Sequence, residues 1–66
     1  MAQWKGDWEF RNVMHHHHGR RGNKGVSADT EDNARKQIRD IVSRELFGTT
    51  AMQTYVVVSN LKEQRR

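Results

Sequence analysis

"DTEDNARKQIRDIVSRELFG", residues 29–48, is the one long stretch of this chain with a helical period, and the rest of the fold has to be arranged around it. Ala34, Ile38, Ile41, Val42 and Leu46 recur at spacings of three and four, which gives one apolar stripe. Thr30 is placed as the N-cap, since its hydroxyl can accept from the amides of the first turn. Glu31 and Asp32 set negative charge at the positive end of the helix dipole. Gly48 suits the left-handed residue that ends a helix. The pattern predicts a helix over 31–47. Glu45 falls within the stripe by angle, so it either lies at the stripe's open end or pairs with a base. The outer face carries Arg35, Lys36, Arg39 and Arg44 with Asp32 and Asp40 among them. The pairs Asp32–Arg35, Asp32–Lys36, Lys36–Asp40 and Asp40–Arg44 have the spacing at which opposite charges meet on a helix.

On the N-terminal side the period changes to two. In "QWKGDWEFRNVM", residues 3–14, Trp4, Trp8, Phe10 and Met14 share one parity, and Lys5, Asp7, Glu9 and Arg11 share the other. That is the mark of a half-buried strand over 3–14, with Gly6 as a candidate bulge. Residues 15–24 show no period and are read as a loop rich in histidine and glycine. "KGVSA", residues 24–28, reads as a short second strand. Beyond the helix, "TYVVVSNLKE", residues 54–63, reads as a third strand, with Tyr55, Val57, Ser59 and Leu61 on one face and Val56 and Val58 on the other. Residues 64–66 form a charged tail, expected to fray.

The order strand, strand, helix, strand predicts an α+β fold: a small ββαβ single domain over 1–66. The first two strands form a wide antiparallel hairpin. A crossover through the helix makes strand three parallel to strand two. If strand three pairs with strand one, the result is a three-stranded antiparallel sheet of order 2-1-3 with the helix packed on one face. The other face is then left to water or to a partner. The tryptophan-bearing strand is central.

Size and composition limit what such a domain can do. A chain of 66 residues buries only about 60% of its unfolded surface, so little is spared for a deep cleft. With no cysteine, disulfides, thiolate metal sites and cysteine nucleophiles are excluded. No apolar run approaches the roughly 18 residues needed to span a bilayer, and "MAQWKGDWEF" lacks the apolar stretch of a signal peptide. These features together lead to the expectation of a cytoplasmic protein with no membrane contact. The formal net charge is +4, unevenly spread. Residues 1–25 carry five basic and two acidic groups, residues 26–47 four and five, and residues 48–66 three and one. Basic ends suit nucleic acid or an acidic protein surface. Size and charge resemble those of the small accessory proteins that phages and mobile elements encode.

"MHHHHGRRGNKG", residues 14–25, concentrates the chemistry. Neutral imidazoles are good ligands for zinc, nickel or copper, which makes His15, His16, His17 and His18 the metal candidates. A structural site, however, needs about four convergent ligands, and adjacent residues in an extended chain point to alternate sides. Adventitious metal binding fits this run better than a built site, and no cofactor is expected. Arg20, Arg21 and Lys24 follow on glycines that allow close approach to phosphate. With Arg65 and Arg66 of the tail they are the nucleic-acid-binding candidates. The segment is not a phosphate-binding Walker loop, since it lacks the GK[ST] ending. Trp4 and Tyr55 are the candidates for an interaction surface, stacking on a base or anchoring a protein from the open sheet face.

No arrangement of nucleophile, base and carboxylate is present, so a non-enzymatic protein is expected. Three functions remain. The first is a nucleic-acid-binding module acting through residues 15–25. The second is a protein-interaction module, for example an inhibitor docking on a host protein through its open sheet face or an edge strand. The third is a metal-responsive protein using the histidines. A homodimer is compatible with the first two, since a core this small gains from association.

Overall fold

The sheet runs β2-β1-β3 with both pairings antiparallel, in a computed structural model that describes residues 2–64. The elements in chain order are β1 (Ala2–Phe10), β2 (Arg21–Ala28), α1 (Glu31–Phe47), a short 3-10 turn (Gln53–Tyr55) and β3 (Val56–Gln64). This is the small α+β ββαβ fold that the element order predicts. Among the described residues no helix is long and apolar enough to cross a membrane.

The helix forms where its caps and stripe place it. Thr30 is extended (φ −134°, ψ 161°), and its hydroxyl accepts from the Asn33 amide at 3.2 Å. Gly48 takes φ 71° and donates its N–H to the Arg44 carbonyl, a conformation that carries little steric penalty only in glycine. Ala34, Ile38 and Val42 are fully or nearly fully buried, with Ile41 and Leu46 packed at the margin of the core. Ser43 is also buried, and its hydroxyl donates to the Thr49 carbonyl, which removes the cost of hiding a polar group. Glu45 pairs with Lys24 of β2, so of the two roles open to it in the sequence the base-paired one holds. On the outer face Arg35 reaches Glu31 and Asp32, and Arg44 reaches Asp40. Arg39 turns away and donates to the Gln53 carbonyl.

The core is a single cluster of Phe10, Val26, Ala28, Ala34, Ile38, Val42 and Val56. Even-numbered residues of β1 and β2 face the helix, and odd-numbered residues face away. β3 obeys a different rule. Its register against β1 shifts between Lys5↔Lys62 and Asp7↔Ser59, so Asn60 and Leu61 together oppose Gly6. Asn60 takes φ 52°, which an asparagine tolerates better than most residues. This bulge reverses the parity of β3. Val56 and Val58 face the helix before it, and Leu61 does so after it, close to Gly6. Leu61 therefore does not share a face with Tyr55, Val57 and Ser59, as strict alternation predicted. Gly6 is buried at the bulge because Leu61 and Val58 occupy the space a side chain would need.

Three boundaries also differ from the periodic reading. β1 ends at Phe10, not at residue 14. The Asn12 side chain accepts from the Met14 amide and its carbonyl accepts from the His15 amide, so the chain turns there. Met14 stands 91% exposed despite its apolar parity. β2 starts at Arg21, so Arg21–Lys24 belong to a strand and not to a loop over 15–24. β3 starts at Val56, because residues 53–55 coil into the 3-10 turn.

Candidate nucleic-acid interface

The connection between β1 and β2 spans residues 11–20 and is pinned by its own backbone. Phe10 and Arg20 are joined by the Phe10 N–H at 2.7 Å, and Gly19, at φ 91°, returns its N–H to the Phe10 carbonyl at 2.8 Å. Inside this loop His18 donates to the His15 carbonyl, and Arg20 donates to the His17 carbonyl. The His17 amide also donates to His15 Nδ1. The aperiodic loop read from the sequence thus takes the form of a series of tight turns.

Those turns sort the four histidines. His15 and His17 lie half-buried against the end of the core, and His16 and His18 are exposed. His15 meets Phe10 and Phe47 edge-on, with ring centroids 5.4 and 5.1 Å away. His17 lies 5.6 Å from Phe47. Burial is the main cause holding His17 below the ordinary imidazole range, with the neighbouring His16, Arg20 and His15 adding repulsion. The rings of His15 and His16 stack at 4.5 Å with planes 19° apart, and those of His15 and His17 at 5.2 Å and 26°. Near-parallel stacking does not converge ring nitrogens on one point. Among the described residues no group of three or more His, Asp or Glu side chains is placed to hold a metal ion.

The basic groups gather on the solvent side of this end. Arg11 Nε lies 2.6 Å from Glu9 Oε1, and Arg21 Nη2 lies 3.5 Å from Glu9 Oε2. The hydrogen bond from Arg11 is the leading cause that holds the Glu9 carboxyl below its usual range, with Arg21 and His18 adding attraction. Arg20 is exposed and makes no ion pair among the described residues. One carboxylate thus faces two guanidinium groups, with the exposed His18 near it. A groove of about 580 Å³ runs from this cluster along the open face, lined among others by Asp7, Trp8, Asn23 and Ser59.

The remaining candidates fall elsewhere. Lys24 points to the helix side and is held by Glu45, which takes it out of the cluster. Arg65 and Arg66 lie outside the described residues. Trp4 and Tyr55 are not on the open face. Trp4 faces the helix side opposite Val26, packs on the core, and donates its indole N–H to the Ala28 carbonyl at 3.0 Å. That hydrogen bond gives the indole a polar partner at the core margin. Tyr55 ends the 3-10 turn, its ring edge-on to Phe10 at 6.2 Å. The open face carries Gln3, Lys5, Asp7 and Glu9 of β1, Arg21, Asn23 and Ser27 of β2, and Val57, Ser59 and Lys62 of β3, so it offers polar groups and no aromatic platform. Arg11 and Glu9 were missed as site residues, although their shared parity two residues apart was visible in the sequence.

No protein-family model matches this chain, and no curated protein or solved structure matches it.

Proposed function

We propose that this protein is a small, non-enzymatic binding module that contacts nucleic-acid phosphates through the closed end of its β1–β2 hairpin. The observation that carries the reading is the imbalance there: Arg11 and Arg21 share the one carboxylate of Glu9, and Arg20, exposed at the end of the adjoining turns, makes no ion pair among the described residues. Guanidinium groups present paired N–H donors that match phosphate oxygens. The turns over residues 11–20 fix these groups on a backbone held by hydrogen bonds to β1, which lowers the ordering cost of binding. The open face offers no stacking platform, so the contact is to the backbone of the nucleic acid and carries little sequence preference.

Fluorescence anisotropy with a short labelled DNA duplex and an RNA hairpin tests this. Three phosphate contacts give a slope of log K against log salt of about −3, so affinity falls roughly 40-fold between about 50 and 200 mM salt. Replacing Arg20 by Gln reduces that slope by about one. Absence of binding at the lower salt to either probe overturns the reading.

A protein-interaction role, the second reading, is favoured by one feature: β2 leaves a full edge of the sheet without a neighbour among the described residues.

A further inference from the structure

We infer that β2 pairs with β2 of a second copy of this chain, joining two three-stranded sheets into one six-stranded antiparallel sheet. This is independent of phosphate contact. The Phe10–Arg20 hydrogen bond and the register Trp8↔Gly22, Gly6↔Lys24 and Trp4↔Val26 show which groups of β2 are used. Even-numbered residues turn their N–H and C=O groups to β1. Arg21, Asn23, Gly25 and Ser27 therefore turn theirs to the free edge, where no described residue pairs them. The edge is regular over eight residues, with an unbroken register, no bulge and no proline. Natural edges of this kind are usually blunted. The β3 edge is blunted, by the bulge at Asn60.

The side chains select the partner. A two-fold axis through Gly25, normal to the sheet, sets Gly25 against Gly25 of the second copy, Asn23 against Ser27, and Arg21 against Asp29. On the helix side it sets Lys24 against Val26 and Gly22 against Ala28. Every opposed pair is then opposite in charge, mutually hydrogen-bonding, or free of like charge. Asp29, one residue past β2, is exposed and makes no ion pair among the described residues. The Lys24 ammonium, which a nearby copy would otherwise repel, is already neutralised by Glu45. The axis is normal to the sheet, so both helices lie on one side and the two open faces form one continuous surface.

Sedimentation equilibrium of the full chain, without nucleic acid, reads the mass. The expected result is a rise from 7.8 kDa toward twice that value with concentration. Amide exchange at Asn23, Gly25 and Ser27 should slow over the same range. Gly25→Pro removes an edge-facing N–H, and an added Cβ there meets only the Trp4 carbonyl at 3.6 Å. This variant should keep its circular dichroism and remain monomeric. Arg21→Asp alone and Asp29→Arg alone each spoil two symmetry-related pairs, and should raise the dissociation constant about tenfold or more. Combining the two restores complementarity and should recover the dimer, which keeps the test decisive if Gly25→Pro fails to fold. A chain monomeric to about millimolar concentration, a dimer that survives Gly25→Pro, or a double variant no better than the single ones overturns the proposal.

Discussion

The indole of Trp8 lies directly over Gly22, its partner across the β1–β2 ladder. A Cβ built on Gly22 would stand 3.0 Å from Trp8 Cζ2 and 3.1 Å from Cε2 and Nε1. These are ring atoms of a bulky side chain, so an added methyl group requires the indole to shift by a few tenths of an ångström, and a β-branched side chain requires more. Gly22→Val should cost about 1–3 kcal/mol by overpacking and shift tryptophan emission as the indole is displaced. With Trp8→Leu in the background the cost should fall, and a double-mutant cycle from denaturant melts measures that coupling.

His17, held below the ordinary imidazole range by burial first and by its charged neighbours second, gives the stability a defined pH dependence. A histidine whose value is lowered by folding binds its proton more readily in the unfolded chain. The contribution of His17 is therefore complete above the ordinary value near 6.5, and is lost as pH falls from there through the lowered folded value. Glu9 is lowered too, but a lowered carboxylate acts in a more acidic window. Melting temperatures between pH 8 and 5 should drop for the native chain. In His17→Phe, which keeps a ring against Phe47, the drop should be smaller.

The bulge at Asn60 is a local backbone requirement. Asn60→Val places a β-branched residue at φ 52° and removes the hydrogen bond from the Asn60 amide to Asp7 Oδ2, which measures 3.0 Å. The expected loss is about 1–3 kcal/mol. Asn60→Gly loses the same hydrogen bond without the strain, and should be close to neutral. Thermal melts of the two variants separate strain from hydrogen bonding.

Among the basic residues, Arg20 and Lys24 should behave differently. Lys24 is held by Glu45 on the helix side of the sheet, whereas Arg20, at the hairpin end, makes no ion pair among the described residues. In the anisotropy measurement Arg20→Gln should weaken binding several-fold more than Lys24→Gln. Lys24→Gln should instead cost up to about 1 kcal/mol of stability, as a partly exposed ion pair does.

The helix and the sheet order were legible because their signals are local or topological. Thr30, Gly48 and the stripe from Ala34 to Leu46 mark the helix by spacing alone. A single crossover left few ways to order three strands. The start of β2 was hidden because its helix-facing positions are Gly22 and Lys24. One is small to admit Trp8 and the other is neutralised by Glu45, so neither shows as apolar. The face of Leu61 was hidden because a bulge changes parity without changing composition. The turn at Asn12 overrode the apolar parity of Met14 through one side-chain hydrogen bond. The histidines read as a solvated loop since nothing in their own sequence shows that Phe10 and Phe47, 37 positions apart in the chain, meet beneath them at 4.9 Å.

The most direct test of the proposed function is a map of amide chemical-shift changes on labelled protein as a short DNA duplex is added, at about 50 and about 200 mM salt, the range over which phosphate contacts weaken strongly. The account predicts changes concentrated at residues 11, 16, 18, 20 and 21, small at the higher salt, and nearly absent along α1. Changes centred on α1, or a spectrum that does not move at the lower salt, would contradict it.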